Sequence, residues 1–303
     1  MLSRVEESLG AGILRLVQLA QRRAVRARVR RHTDIRGRVT PYLECGEEKD
    51  GTIVWLHGFN DEPDSFLRTA ARLVRRYRVV APAMPGFGEG WVDPNERHTL
   101  EAYGAWLREV VRDLGGTRYH LMGNSLGGTT AIAIAAAEGP ERIASLVAVN
   151  SGGLDLTGVR SVNDEMRDGQ NLFAVRDREG FERFLGRVFA RQPFIPRPVR
   201  VRLAAELRRS ADWYERLVAD MLETTVHPST SGASVTNLAE VRVPTLVVWG
   251  DRDTLFPLSH GEHLARIIPD AKLAVLEGVG HCPHLESPRR LADAFTRFAS
   301  SLR

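Results

Sequence analysis

The chain has 303 residues, of which 43% are hydrophobic and 26% are charged, a composition typical of a globular protein long enough to bury a large core. Its two cysteines exclude a disulfide framework and fit a reducing, cytoplasmic location. The formal charge is +4, but ten arginines and only three acidic residues fall within residues 1–38, which carry +7 and leave −3 for the remainder. This distribution excludes a basic body that would hold nucleic acid, and no nucleic-acid partner is expected.

Residues 1–38 are predicted to form a basic amphipathic extension. Apolar side chains recur there at helical spacing, and they are Leu9, Ile13, Leu16, Val17, Ala20 and Ala24. The apolar stretch is too short to span a bilayer, and most of its charges follow it, whereas those of a signal peptide precede the apolar core. Two interpretations stay open. In the first, the segment is a helix that lies on an anionic membrane surface or binds a partner. In the second, it is a surface helix packed on the body or a partly ordered basic tail.

From residue 39 onward, predicted strands alternate with predicted helices. The strands are 52–56, 77–81, 119–122, 143–149, 244–249 and 272–277, and the helices are 64–75, 99–114, 126–138, 258–267 and 288–301. Asp64 or Ser65 is able to cap the first of these helices, and Thr99 is able to cap the second. This alternation predicts an α/β fold with a mostly parallel sheet that is covered by helices on both faces.

The alternation stops at residue 151 and resumes only near residue 244. Residues 152–236 are rich in arginine, phenylalanine and helix formers, contain several prolines and carry no strong strand signal. This predicts a helical insertion that divides the α/β core into residues 39–151 and 237–303.

The pentapeptide Gly123-Asn124-Ser125-Leu126-Gly127 is a G-x-S-x-G motif between an apolar strand and an alanine-rich helix. A serine on such a sharp turn has a strained backbone and needs small residues two positions before and after it. Its hydroxyl projects from the end of the sheet, near a helix N-terminus that favours developing negative charge. The motif alone also fits a plain turn with a capping serine, but its context predicts Ser125 as a nucleophile.

A serine hydroxyl needs a base that takes its proton, and His281 is the candidate. His281 ends a glycine-rich loop after the strand 272–277. Because the carboxyl ends of parallel strands point one way, this loop is expected at the same end of the sheet as Ser125. An imidazole titrates near neutral pH, which suits a base that must later act as an acid.

A carboxylate is expected to hold the tautomer of His281 and to stabilise its protonated form. Asp253 and Asp251 both follow the strand 244–249 at the same end of the sheet. Asp251 also suits a role in a turn or a salt bridge, and the pattern leaves both carboxylates as candidates.

Other histidines and a cysteine lie near these loops. His284 follows His281 by three residues, and His260 precedes His263 by the same interval. A metal site would need further ligands, and the sequence contains no HExxH or paired-cysteine motif, so His284 and His260 are interpreted as surface or loop histidines. Cys282 is interpreted as a packing residue and not as a nucleophile. No metal or organic cofactor is expected.

Acyl transfer needs hydrogen-bond donors that point at the tetrahedral oxyanion. The expected donors are the backbone N–H groups of Leu126, directly after the nucleophile, and Phe59, in the loop after the first strong strand. His57 in the same loop is expected to make structural hydrogen bonds. Asn60 either assists in stabilising the oxyanion or only forms a turn.

Five segments together resemble those of the α/β-hydrolase superfamily, and the resemblance extends over residues 39–303. The segments are Trp55–Phe59, Met84–Glu89, Gly123–Gly128, Val248–Asp253 and Gly280–Pro288. The resemblance implies that Asp253, and not Asp251, completes a Ser–Asp–His triad. Within the superfamily, the chain looks most like the monoacylglycerol-lipase-like branch, which combines a G-x-S-[LM]-G-G turn with a helical cap and a membrane-seeking N-terminus.

The resemblance implies that residues 152–236 form a cap over the active site and shape an acyl pocket. The candidate pocket residues are Phe173, Phe184, Phe189 and Trp213, although such aromatic residues also fit the core of the cap itself. A hydrophobic cap beside a basic extension favours a lipid-like ester, such as a monoacylglycerol or a medium- or long-chain acyl ester. It also favours peripheral membrane contact through residues 1–38.

The predicted function is therefore hydrolysis of a carboxylic ester through an acyl-enzyme on Ser125. Two alternatives stay open. Cleavage of a C–C bond beside a carbonyl, or of a thioester, uses the same triad. A ligand-binding or scaffold protein on a hydrolase fold is the alternative that is not an enzyme.

Overall fold

The computed structural model describes residues 2–114, 116, 118–152, 158–224 and 238–302. The strands are β1 (Arg28–Thr33), β2 (Val39–Gly46), β3 (Thr52–Leu56), β4 (Arg78–Pro82), β5 (Tyr119–Asn124), β6 (Ile143–Val149), β7 (Thr245–Gly250) and β8 (Lys272–Leu276). These strands of the described residues form one eight-stranded sheet in the order β1-β2-β4-β3-β5-β6-β7-β8. The β1–β2 and β2–β4 pairs are antiparallel and the other pairs are parallel, which confirms the predicted α/β fold.

Helices cover both faces of this sheet. They are α1 (Leu2–Ala24), α2 (Leu67–Ala70), α3 (Leu100–Leu114), α4 (Leu126–Glu138), α5 (Val162–Arg167), α6 (Arg178–Val188), α7 (Arg197–Thr224), α8 (Leu258–Ile267), α9 (Pro283–Glu286) and α10 (Pro288–Ser300). Short 3-10 turns occur at Pro63–Phe66 and Leu238–Glu240.

The central strands are buried on both faces because their sequences are apolar without alternation. Every residue of β3, β5 and β7 is buried. Successive side chains of a strand point to opposite faces, so Trp55 joins a core under α2 and α10, whereas Leu56 joins a core with α3 and α4. This two-sided burial fixes the sheet, and the loops at the carboxyl ends of its strands are held on a rigid support.

The prediction of one helix over residues 64–75 is wrong. The 3-10 turn Pro63–Phe66 leads into the four-residue helix α2, and turns follow it. Asp64 does not cap a helix, because its carboxylate accepts two hydrogen bonds of 2.6 Å from Arg22 of α1. Ser65 Oγ donates to Asp61 Oδ2 at 2.8 Å. These long-range contacts override the helical preference of the local sequence.

The sheet begins at Arg28, within the segment that was expected to precede the core. Strand β1 pairs with β2 along its whole length, so the predicted boundary at residue 38 does not coincide with the edge of the sheet. Only His32 is buried in β1, and its arginine-rich sequence therefore shows no apolar strand pattern. Such charged side chains are typical of an edge strand, where they discourage pairing with another chain.

Helix α1 packs along α7, so the N-terminal segment is a surface helix on the body. A Cβ atom at Gly10 would lie 2.0 Å from the carbonyl oxygen of Pro198. Because glycine has no Cβ, α1 can approach α7 closely at this position. Glu7 pairs with Arg202 at 3.2 Å and with Arg209 at 2.6 Å. These contacts fix α1 against the predicted cap.

The outward face of α1 stays apolar and exposed. Val5, Leu9 and Leu16 are 63%, 56% and 68% exposed, and they lie on one face of the helix around a shallow depression. Arg4 and Arg15 on the same helix form no ion pair with a described residue. No helix in the described ranges combines the length and the apolar character that a membrane crossing requires.

The predicted insertion lies between β6 and β7. The structure describes residues 152 and 158–224 of this insertion, and they contain helices α5, α6 and α7. Residues 153–157 and 225–236 lie outside the described residues. Arg187 at the end of α6 donates to Glu165 of α5 at 3.0 and 3.1 Å and to the Thr254 carbonyl at 2.7 Å. The insertion is thus bound to the loop that follows β7.

Candidate active site

Ser125 occupies the sharp turn between β5 and α4. Its backbone has φ 53° and ψ −122°, a conformation that is costly for a residue with a side chain. A Cβ at Gly123 would lie 2.3 Å from the Gly127 carbonyl oxygen, and one at Gly127 would lie 2.4 Å from the Leu56 carbonyl oxygen. Only glycine fits these two positions, which explains the G-x-S-x-G spacing and places the Ser125 hydroxyl at the carboxyl end of the sheet.

His281 and Asp253 meet although 28 residues separate them. His281 Nδ1 lies 2.8 Å from Asp253 Oδ2, and both side chains are buried. Nε2 has no hydrogen-bond partner among the described residues, so it is the ring nitrogen that can take a proton from a nucleophile. Ser125 and His281 line the same cavity.

Four hydrogen bonds from described residues hold the Asp253 carboxylate. Besides His281, Oδ2 accepts from Asn150 Nδ2 at 2.6 Å, while Oδ1 accepts from the N–H groups of Leu255 at 2.8 Å and Phe256 at 3.1 Å. A buried carboxylate with this many donors is held in one orientation.

Asp251, the competing carboxylate, has a different position. Its Oδ1 accepts a hydrogen bond of 2.6 Å from the Gly278 N–H, and it lies 3.7 Å from Arg252. Asp251 therefore shapes the turn before His281, whereas Asp253 contacts the imidazole.

Two asparagines in this network were not predicted from the sequence. Asn150, directly after β6, donates to Asp253 and also accepts from the Gly250 N–H at 3.3 Å. Asn124, directly before the nucleophile, donates to the carbonyl oxygens of Val149 at 3.1 Å and His281 at 3.0 Å. A polar residue at the carboxyl end of a buried parallel strand is the signal that could have identified Asn150.

Glu286 connects the loop of His281 to the insertion. Its Oε1 accepts from the Gly280 N–H at 3.0 Å, and its Oε2 accepts from the N–H of Ala190, just after α6, at 3.0 Å. The His281 N–H in turn donates to the Val188 carbonyl at 3.1 Å. The position of the candidate base thus depends on the packed insertion.

The N–H groups of Phe59 and Leu126 are the expected oxyanion donors. Neither donates to a protein acceptor within the described part of the chain. Leu126 is the first residue of α4, where N–H groups have no partner inside the helix. A Cβ atom at Gly58 would lie 3.2 Å from Ser125 Cβ, so the loop that carries Phe59 packs directly against the nucleophile.

His57 and Asn60 flank Phe59 and hold its loop. His57 Nε2 accepts from the Met84 N–H at 2.9 Å, its Nδ1 contacts the Gly58 carbonyl at 2.9 Å, and burial lowers the pKa of this imidazole. Asn60 has φ 55°, and its Oδ1 accepts from the Tyr214 hydroxyl at 2.7 Å. Asn60 therefore forms a turn and also connects the loop to α7.

A cavity of about 960 Å³ opens beside Ser125. Phe173, Phe184 and Phe189 line it, as the sequence predicts. Trp213 does not belong to its wall, so the assignment of Trp213 to the pocket is corrected: its indole N–H donates to the Gly86 carbonyl at 2.9 Å and connects α7 to the core.

Aromatic rings extend from the nucleophile into the insertion. The ring of Phe59 lies 4.5 Å from that of Phe173, which lies 6.1 Å from that of Phe184. Tyr214 contacts Phe59 from the other side at 5.1 Å. This apolar surface suits a hydrocarbon chain that enters from the reacting centre.

His284 and His260 are fully buried, so their interpretation as surface or loop histidines is wrong. His284 packs 5.3 Å from the Trp55 ring, and its Nε2 lies 3.2 Å from Asp61 Oδ2. Across the described ranges, no three His, Cys, Asp or Glu side chains converge as metal ligands would. Burial raises the pKa of the Cys282 thiol well above its usual range, which disfavours the reactive thiolate.

The family and the relatives of the chain agree with this geometry. The model of the Alpha/beta hydrolase family matches residues 53–294. Lipase 1 of Psychrobacter immobilis is 29% identical over 86% of this chain and 80% of its own length, and Monoacylglycerol lipase abhd6-B of Xenopus laevis is 27% identical over 83% and 76%. The crystal structure of a membrane phospholipase A, a bacterial virulence factor, superposes with a TM-score of 0.88 at 27% identity, covering 97% of this chain and 93% of that one. The chain therefore belongs to the alpha/beta hydrolase family.

Proposed function

We propose that this protein is a serine hydrolase that cleaves lipid-like carboxylic esters, with Ser125 as the nucleophile, His281 as general base and acid, and Asp253 as the orienting carboxylate. One observation carries the proposal: Ser125 and His281 line one cavity, while Asp253 contacts Nδ1 of His281 and leaves Nε2 without a hydrogen-bond partner among the described residues. The lipase and monoacylglycerol lipase relatives support ester hydrolysis as the reaction.

The reaction proceeds in two steps. Ser125 Oγ attacks the ester carbonyl carbon as His281 Nε2 takes the hydroxyl proton, and the N–H groups of Phe59 and Leu126 stabilise the oxyanion. The bond from carbon to the alkoxy oxygen then breaks, and His281 gives its proton to the departing alcohol. Water, deprotonated by His281, attacks the acyl-enzyme, and collapse of the second intermediate releases the carboxylic acid and returns the proton to Ser125.

The apolar cavity supports a medium- or long-chain acyl group. Residues 152–236 are proposed as the cap, because helix α6 and the residues around it supply Phe173, Phe184 and Phe189 to the cavity wall. Burial of a hydrocarbon chain there contributes roughly 0.8 kcal/mol of binding free energy for each methylene group. A short acyl group has fewer methylene groups and therefore gains less.

Residues 1–38 are proposed to contact an anionic membrane surface peripherally. The exposed Val5, Leu9 and Leu16 would enter the interface, and Arg4, which forms no ion pair with a described residue, would meet lipid phosphates. Because α1 packs on α7, this contact would bring the cavity close to lipid esters.

The proposal is tested by hydrolysis of p-nitrophenyl esters and monoacylglycerols of increasing acyl length, with the wild type and Ser125→Ala. We expect turnover that rises with chain length in the wild type and falls by 10³-fold or more in the variant. Hydrolysis of short esters only would contradict the lipid-like substrate but would still support an esterase. Turnover of a C–C or thioester substrate without ester hydrolysis, or no turnover at all, would contradict the proposal.

A further inference from the structure

Helix α1 supplies one wall of the cavity that contains Ser125. Arg15, Gln18 and Arg22 line the cavity at positions i, i+3 and i+7, which places them on one face of the helix. This face differs from the apolar outward face of α1. The N-terminal helix is thus part of the site and does not merely cover it.

The facing residues come from the loop that carries the oxyanion donor. Asn60 and Glu62 follow Phe59 within three positions, and both line the cavity. Gln18 Nε2 donates to Glu62 Oε1 at 2.6 Å. One turn further along α1, Arg22 forms its two hydrogen bonds with Asp64. A polar wall therefore begins beside the reacting centre, apart from the aromatic surface of Phe173 and Phe184.

This wall offers donors and acceptors side by side. Gln18 Oε1 accepts from no described residue, and neither does the second carboxyl oxygen of Glu62. The Gln18 amide nitrogen and the Arg15 guanidinium supply N–H donors beside these acceptor oxygens. Hydroxyl groups, which both donate and accept, match such a surface.

The charges on the wall favour an uncharged ligand. Asp64 offsets Arg22, and Glu206 and Glu7 offset Arg202, which also lines the cavity. Among the cationic lining residues that the structure describes, Arg15 alone has no ion-pair partner. A phosphate group, which is bound best by several cationic donors, would find few of them here.

We propose that Arg15, Gln18 and Glu62 form the subsite for the alcohol portion of the ester and that this subsite takes an uncharged polyol such as glycerol. The proposal rests on the proposed ester hydrolysis. The acyl chain then occupies the surface of Phe173 and Phe184, and the hydroxyl groups of the alcohol bind α1. The bond from the acyl carbon to the ester oxygen of the alcohol breaks, and the acyl group stays on Ser125. Specificity for the alcohol thus comes from the N-terminal helix.

The test uses decanoate esters that differ only in their alcohol: methanol, glycerol and glycerol 3-phosphate. We expect the wild type to hydrolyse the glycerol ester with about 10-fold higher kcat/KM than the methyl ester and to disfavour the phosphate ester. In Gln18→Leu the ratio of glycerol to methyl ester should fall about 5- to 10-fold, the loss expected for hydrogen bonds to a bound hydroxyl. Gln21→Leu, on the same helix outside the cavity wall, is the matched control and should keep the wild-type ratio.

Arg15→Ala is a second variant, because it removes an exposed side chain without an ion-pair partner among the described residues and should leave folding intact. It should lower the same ratio about 3-fold. Three results would overturn the subsite alone. The first is equal rates on methyl and glycerol esters in the wild type, and the second is an unchanged ratio in both variants. The third is a change of acyl-length preference in Gln18→Leu while the ratio stays constant. Absence of hydrolysis of every ester would overturn the proposed function, and the subsite with it.

Discussion

His284 Nε2 lies 3.2 Å from Asp61 Oδ2, and this contact joins the loop of the oxyanion donor to the segment of the candidate base. Asp61 follows Phe59 by two residues, and His284 follows His281 by three. His284 is fully buried, and the Thr69 hydroxyl contacts its carbonyl oxygen at 3.4 Å. Two groups that must act on the same carbonyl are thus held by one cross-link between distant parts of the chain.

Breaking this cross-link should slow the reaction more than it weakens substrate binding. We expect Asp61→Ala to lower kcat about 10-fold with KM changed less than about 2-fold, because small displacements of catalytic groups reduce the rate of the chemical step. Asp61→Asn keeps an acceptor oxygen and should recover most of the loss. Steady-state kinetics on one ester measures both values, with the exposed Asp293→Ala as control.

A double-mutant cycle with His284→Ala separates this positioning role from a general loss of stability. The two substitutions should be non-additive in kcat, since each breaks the same contact. Additive effects would show that Asp61 and His284 act independently.

The two candidate carboxylates after β7 should differ strongly in their effect on activity. We expect Asp253→Asn to lower kcat about 10³- to 10⁴-fold, because the amide cannot hold the imidazole tautomer or stabilise its charged form. Asp251→Asn should change kcat by less than about 3-fold, because Asp251 contacts the Gly278 N–H and not the ring. Similar losses in both variants would contradict the assignment.

Two glycines of α1 should respond in opposite ways to alanine. Gly10→Ala should lower the free energy of unfolding by about 1–3 kcal/mol, because the added Cβ meets the Pro198 carbonyl at 2.0 Å. Gly12 has no neighbour within 4 Å of a Cβ, so Gly12→Ala should raise that free energy by about 0.5–1 kcal/mol through helix propensity. Urea denaturation measures both, and equal changes would show that α1 does not pack tightly on α7.

The outward face of α1 should govern binding to anionic vesicles. Leu9→Glu and Leu16→Glu should each weaken partitioning about 10-fold, because each removes an exposed apolar side chain from the interface. Val92→Glu, which changes another exposed apolar residue outside α1, is the control. Sedimentation with phosphatidylglycerol vesicles measures the binding. Equal binding by all variants would contradict a membrane contact through α1.

Much of the fold was predictable because its signals are local. The buried strands of the parallel sheet are continuous apolar runs, and the loops of Ser125 and Asp253 follow such runs directly. The loop of His281 follows the edge strand β8, which is apolar in sequence although most of it is not buried. The predicted strand 143–149 and helices 126–138 and 258–267 agree with the observed bounds. These segments need no information from elsewhere in the chain.

The remaining features depend on partners that are distant in sequence. Asn150 reaches Asp253 across 103 residues, and His284 reaches Asp61 across 223, so neither contact leaves a local pattern. Strand β1 keeps nearly all its side chains exposed, and its arginines therefore hide its place in the sheet. Helix α1 both packs on α7 and lines the cavity. Neither contact can be read from the local sequence, because both depend on the folded structure.

Labelling with a fluorophosphonate probe, followed by mass spectrometry of the modified peptide, tests the central claim most directly. The claim is that Ser125 is a nucleophile activated by His281. We predict a single covalent adduct on Ser125 in the wild type, none in Ser125→Ala, and labelling slowed by 10³-fold or more in His281→Ala. Labelling of another residue, or none in the folded wild type, would contradict the account and favour a binding role for the fold.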